Sequence, residues 1–371
     1  MQYRLCVPCL LGLEGPISDE LKRLNLSGVA AENGRVYFDG DEASVAAANI
    51  SLRIGERVLL EVGRFTATTF DALFEAVKAL PWEAYIPKDC AFPVKGYCLN
   101  STLMSVPDCQ KIIKKAVVER LKTRYHLTWF AETGPVHQIQ FSIMKDQVSL
   151  LLDTSGYGLH KRGYRLEAGG APIKETLAAA LCWLSRVRPY HTLYDPMCGS
   201  GTILIEGALL AHNIAPGKNR SFSAERWDQI PEEVWRLERE RAADLELRES
   251  SFAAFGSDID SAALELAKAN AQRAGVADRI TFERRDLRDF APQSEKGTLI
   301  CNPPYGERLF DLKAAEELYR LMGQKFVQQH GWSYSIISPS EDFEYFFGRK
   351  ADKRRKLYNG MIKCQLYMYF K

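Results

Sequence analysis

The stretch "TLICNPPYGERL", residues 298–309, runs apolar and then turns into Asn302-Pro303-Pro304-Tyr305. Proline cannot donate a ladder hydrogen bond, and it pushes the residue before it out of helical space. Pro303 and Pro304 therefore end a strand at 301 and stiffen the loop after it. An amide and an aromatic are then held at a strand's carboxyl end, the edge where open α/β sheets bind ligands. Taken alone, the four residues fit a strand terminator as well as they fit a site.

Three further strand ends carry chemistry. "YDPMCGSGTILIEGALL" puts Asp195, Gly199, Ser200 and Gly201 directly before a helix, where glycines let backbone approach a ligand. Leu204 stands where a dinucleotide fingerprint needs its third glycine, and the Gly-Lys-Ser/Thr of a phosphate loop is absent. In "FGSDIDSAALELAKANAQRAG", Asp258 is placed to accept both hydroxyls of a ribose, while Asp260 suits a helix cap. In "ERRDLRDF", Asp286 ends a third strand and can accept from an adenine amine. One strand-end aspartate is commonly a turn residue. Three in register beside a glycine loop read as a nucleoside site.

Positioning those ends requires alternating strands and helices. An apolar helix over 174–187 precedes a strand at 192–196, a strand at 253–258, a helix at 261–274, strands at 280–284 and 298–301, a helix at 312–329 and a strand at 332–338. Such alternation means parallel strands with crossover helices. "RKLYNGMIKCQLYMYFK" sets Asn359-Gly360 between two strand-like runs, so the sheet finishes in an antiparallel hairpin. The segment 213–250 is inserted between the first two of these strands, and its charged second half reads as an exposed helix. Residues 1–160 are α+β, with strands in "YRLCVPCL", "RVYFDG", "RVLLEVGRF" and "QIQFSIMKDQVSLLLDTSG" and helices near 70–80 and 107–124. The second helix turns Ile112, Ile113, Ala116, Val117 and Leu121 to one side and Lys111, Lys114, Lys115 and Lys122 to the other.

Size predicts two or three domains, because a single core rarely grows past about 250–300 residues and the chain has 371. Nine cysteines at irregular spacing suggest reduced thiols and a cytoplasmic setting. Cys6-Val7-Pro8-Cys9 has no second ligand pair, so it reads as a strand end and no metal is expected. No apolar run reaches membrane-spanning length. Net charge is only +2, yet cations cluster locally. There are eight Lys/Arg against three acids over 88–125, three and none in "GLHKRGYR" (158–165), and six against one in "RKADKRRK" (349–356). Such patches are a footprint of nucleic-acid binding.

Residues 158–371 resemble a class I S-adenosylmethionine-dependent methyltransferase, a Rossmann-like α/β fold. "VKGYCLNSTLMSVPDCQKIIKKAVVERL" resembles a THUMP RNA-binding domain. "GLHKRGYR", residues 172–181, "NIAPG" and "NPPYGERL" together resemble the RlmL/YpsC-type rRNA guanine methyltransferases, in the form without a second methyltransferase domain. The resemblance implies a ferredoxin-like subdomain at 1–55, a THUMP domain at 56–157 and the methyltransferase at 158–371. It implies that Asp195, Pro196, Cys198, Gly199, Ser200, Gly201 and Thr202 form the first cofactor motif. Asp258 and Ile259 would take the ribose side, Asp286 and Leu287 the adenine, and Thr176 and Asn302 would also meet the cofactor. Asn302, Pro303, Pro304 and Tyr305 match the motif of exocyclic-amine methyltransferases.

An exocyclic base amine is a weak nucleophile because its lone pair is delocalised into the ring. The Asn302 amide oxygen and the Pro303 carbonyl can accept its two hydrogens, and Tyr305 can stack on the flipped base. Lys111, Lys114, Lys115, Lys161, Arg162 and Arg165 are the expected RNA contacts. The implied partner is 23S rRNA or a large-subunit assembly intermediate, with no membrane. Two other functions stay open: an adenine-N6 methyltransferase of DNA or RNA, and a non-catalytic RNA-binding assembly factor.

Overall fold

Alternating apolar positions in the N-terminal 160 residues pair into one sheet in the computed structural model, which describes residues 2–165, 173–305 and 312–370. The strands are β1 (Tyr3–Pro8), β2 (Ser27–Glu32), β3 (Arg35–Gly40), β4 (Leu59–Thr66), β5 (Val94–Leu99), β6 (Ile139–Met144) and β7 (Gln147–Asp153), in the order β2-β3-β1-β4-β7-β6-β5. β4 joins two halves: Leu60 pairs with Leu5 of β1 on one side and Leu152 of β7 on the other. Neighbours are antiparallel except β5 and β6. The helices are α1 (Glu14–Arg23), α2 (Glu42–Ser51), α3 (Phe70–Ala79) and α4 (Val106–Tyr125). Asp41, Thr69 and Ser105 cap the last three by accepting backbone N–H groups of the first turn. On α4, Ile113, Ala116, Val117 and Leu121 are buried as their spacing predicts, Ile112 is half-buried, and Cys109 extends the buried stripe.

The remainder builds a second seven-stranded sheet, β10-β9-β8-β11-β12-β14-β13. Its strands are β8 (Thr192–Asp195), β9 (Ala253–Asp258), β10 (Ile280–Arg284), β11 (Gly297–Cys301), β12 (Trp332–Ser338), β13 (Lys353–Asn359) and β14 (Ile362–Phe370). β10 through β12 are parallel, and β14 pairs antiparallel with both β12 and β13. Gly360, at φ +62°, closes the β13–β14 turn with Asn359 before it, as the Asn-Gly pair predicts. The helices are α5 (Glu175–Leu184), α6 (Thr202–Ala211), α7 (Glu232–Asp244), α8 (Ser261–Ala274), α9 (Leu312–Lys325) and α10 (Phe343–Phe347). Strand order reverses between β8 and β11, which makes their carboxyl ends the topological switch point. Residues 306–309 of "NPPYGERL" and Pro172 of the 172–181 segment lie outside the described residues.

The inserted helix α7 differs from expectation. Its outer charges are exposed, but Trp235 is buried and stacks on Phe222. The same insertion reaches the N-terminal sheet region. The Trp227 ring stacks on His137 at 4.3 Å and its Nε1 donates to the Val136 carbonyl at 3.0 Å, while Gln229 donates to the Tyr85 carbonyl. A polar seam completes the junction. Arg53 donates to the Ile214 carbonyl, and Arg162 bridges the Arg53 carbonyl and Glu206. The insertion thus ties the two sheets into one body.

Candidate active site

Parallel pairing of β9, β8 and β11 brings Asp258, Asp195 and Asn302 to one sheet edge, with Asp286 two residues beyond β10. Asp195 is buried and accepts the Met197 N–H at 3.2 Å. Burial, with the charge of Asp258 adding to it, pushes its carboxyl up to about 7; Met197 N–H and the Cys301 thiol oppose the shift. The glycine loop begins directly after. Gly199, at φ +51°, donates its N–H to Asp258 Oδ2 at 2.9 Å. Asp258 Oδ1 accepts from the Asp260 N–H at 3.0 Å, and Asp260 caps α8. Each Asp258 oxygen keeps a lone pair for a further donor.

A Cβ built on Gly199 would meet nothing within 4 Å, whereas one on Gly201 would meet Ala267 and Phe282 at 3.1 Å. Gly199 therefore faces open space, and Gly201 allows the close helix approach at the start of α6. Ser200 and Thr202 share a hydroxyl contact at 3.2 Å. Thr202, Pro196 and Cys198 are buried beneath the loop. Ile259 is 59% exposed beside Asp258, an apolar surface open to a flat ligand. Asp286 accepts the Arg288 N–H at 2.8 Å. Leu287 is buried in a second core cluster, so its backbone alone is offered to a ligand. Thr176 is also buried, and its hydroxyl donates to Glu56 Oε1 at 2.9 Å, across from the N-terminal region.

At β11, Pro303 is buried and Asn302, Pro304 and Tyr305 are half-buried. The Tyr305 hydroxyl donates to Asn302 Oδ1 and accepts from Asn359 Nδ2 at 3.4 Å. Sequence reasoning missed both contacts. The signal that existed was Asn359 itself, read only as a turn residue.

The expected RNA contacts divide in two. Lys111, Lys115 and Lys161 are exposed, the first two on the outer side of α4. Lys114 is instead committed inward: its Nζ pairs with Glu132, donates to the Phe92 carbonyl at 3.1 Å and sits 3.4 Å over the Phe92 ring. Arg162 is buried against Glu206 and donates to the Leu159 and Arg53 carbonyls. Arg165 pairs with buried Glu175 at 3.0 Å and donates to the Ile173 carbonyl. Arg162 and Arg165 correct the expectation, because a phosphate taking either cation would strand buried Glu206 or Glu175; Lys114 stays about one-third exposed beside its partners.

Residues 162–368 match the RMKL-like methyltransferase domain, residues 67–153 the THUMP domain and residues 4–59 the RlmL ferredoxin-like domain. The chain belongs to the RMKL-like methyltransferase family. It is 45% identical over its whole length, and over 96% of the relative's, to YpsC of Bacillus subtilis (strain 168), described as a candidate RNA methyltransferase. It superposes with a TM-score of 0.94 and 48% identity on a Listeria monocytogenes protein described as a predicted N6-adenine-specific DNA methylase, covering 100% and 96% of the two chains. It superposes equally, at 0.94 and 41% identity over 100% and 98%, on SMU.472, described as a candidate methyltransferase and solved with SAH. The family's cofactor is S-adenosylmethionine, and the open space before Gly199, the acids at the edge and exposed Ile259 fit it. Among the described residues, no group of three His, Cys, Asp or Glu could hold a metal ion, and no helix is long and apolar enough to cross a membrane.

Proposed function

We propose that the chain methylates the exocyclic N2 amine of a guanine in 23S rRNA, either free or in a large-subunit assembly intermediate. The observation that carries the reading is the Asn302 amide at the switch point, oriented by the Tyr305 hydroxyl. With one lone pair of Oδ1 taken by Tyr305, the other is left for the target amine, and the amide oxygen rather than its NH₂ is fixed toward the substrate. The Pro303 carbonyl accepts the amine's second hydrogen. Accepting both hydrogens localises the nitrogen lone pair along the attack direction. S-adenosylmethionine supplies a methyl group made electrophilic by its sulfonium. Asp258 receives the ribose hydroxyls, Ile259 and the Asp286-Leu287 backbone receive the adenine, and Asp195 and the loop from Pro196 to Thr202 hold the rest. Positioning supplies the catalysis, and the amine's extra proton leaves to water.

The THUMP match and the description of YpsC support RNA as substrate. The description of the Listeria relative supports a second reading, adenine N6, since the same two acceptors suit either amine. Nucleoside digestion and mass spectrometry of rRNA from cells lacking the protein separates them. Loss of one N2-methylguanosine is expected. Loss of N6-methyladenosine instead would transfer the assignment to adenine.

A further inference from the structure

Two of the three cations in "GLHKRGYR" face inward, but the loop that carries them is held by two others from outside it. Arg57 donates to the Gly156 carbonyl while pairing with buried Asp153. Arg220, from the insertion, donates to the carbonyls of Tyr157 at 2.7 Å, Gly158 at 2.9 Å and Lys161 at 3.0 Å. Four carbonyls over 156–161 are thus fixed by guanidinium groups. The loop presents the Tyr157 ring, 81% exposed, and the Lys161 side chain to solvent.

The local charge balance is positive. Among the described residues the Arg220 guanidinium donates to carbonyls and to no acid. Around it Asp153 pairs with Arg57, Glu206 with Arg162 and Glu225 with Arg239, which leaves Arg220 and Lys161 as the excess charge. The loop also adjoins the candidate site. His160 and Lys174 flank Glu56 at 3.6 and 3.7 Å, Glu56 accepts from Thr176, and Arg165 links Glu175 to Thr202 of the glycine-loop helix.

We propose that Tyr157 is a stacking platform for an unpaired RNA base flanking the target nucleotide, with Lys161 facing an adjoining phosphate and Arg57 and Arg220 holding the loop in place. The proposal rests on RNA being the substrate. A ring on a loop already immobilised loses little freedom on stacking, and the surrounding cations attract the backbone. Neither the motif's spacing nor its cation count identifies this surface, because Arg57 and Arg220 come from distant segments.

The test uses the full chain and a single-stranded RNA oligonucleotide carrying 2-aminopurine, titrated at several salt concentrations. Tyr157→Ala should weaken binding roughly tenfold or more, Tyr157→Phe should restore it, and Lys161→Ala should flatten the logarithmic salt slope by about one. Tyr345→Ala removes an equally exposed ring (80%) elsewhere and should change nothing. SAH binding by calorimetry should be unaltered in all four variants. Wild-type affinity in Tyr157→Ala, with SAH binding intact, overturns the platform while leaving RNA as substrate. If the wild type binds no RNA, both readings fall.

Discussion

The two seven-stranded sheets put their side chains to different use. In the C-terminal sheet, five neighbouring strands run parallel, so all their carboxyl ends meet at one edge and Asp195, Asp258, Asp286 and Asn302 converge there. In the N-terminal sheet, nearly every neighbour is antiparallel, ends alternate, and no common edge exists. What that sheet can present is surface. A parallel sheet turns sequence position into a place at that edge, because the residues at or just beyond each strand's carboxyl end land there. An antiparallel sheet does not, and there each cation's role depends on what packs beside it.

Arg162 offers the largest contrast. Arg162→Ala should lower stability by about 3–5 kcal/mol, since it removes the ion-pair partner of buried Glu206. Chemical denaturation measures this. A loss under about 1 kcal/mol, with weakened RNA binding, would restore it to the RNA surface. Next, Asn302→Ala should cost about 10²–10³ in turnover with cofactor affinity unchanged. Near-normal turnover at saturating substrates would reduce the loop to a strand terminator.

That asymmetry explains what was legible. Asp195, Asp258, Asp286 and Asn302 could be placed from sequence because strand periodicity and the prolines locate strand ends without tertiary detail. Lys111 and Lys114 are three residues apart on one helix, and Lys161 and Arg162 are adjacent. Nothing local tells that Glu132 and Phe92 claim Lys114, or that Glu206 claims Arg162. The Tyr305–Asn359 contact was hidden for the same reason: it joins residues 54 apart in sequence. The insertion's clamp on His137 and Val136 likewise required the fold.

Smaller effects sharpen the comparison further. Asp195, raised to about 7 by burial, is mostly protonated at low pH, and a cationic ligand favours its carboxylate. Cofactor affinity should therefore rise as pH increases through about 7, with proton release on binding. Folding stability moves the other way, because this carboxyl holds its proton in the folded state as pH rises from its ordinary 3.8 to about 7 and the unfolded chain does not. Calorimetry in buffers of different ionisation heat reads the release, and Asp195→Asn should abolish it. A flat wild-type profile would remove Asp195 from the ligand's charge. The smallest effect belongs to Lys111, exposed on α4. Lys111→Ala should reduce the salt slope of RNA binding by about one unit and leave stability unchanged. An unaltered slope would make that face merely solvated.

The central claim is tested most directly by in vitro methylation of 23S rRNA with labelled S-adenosylmethionine, followed by nucleoside digestion and mass spectrometry, with Asn302→Ala run in parallel. The account predicts label in N2-methylguanosine for the wild type and its loss in the variant. Label in N6-methyladenosine, or equal labelling by Asn302→Ala, would contradict it.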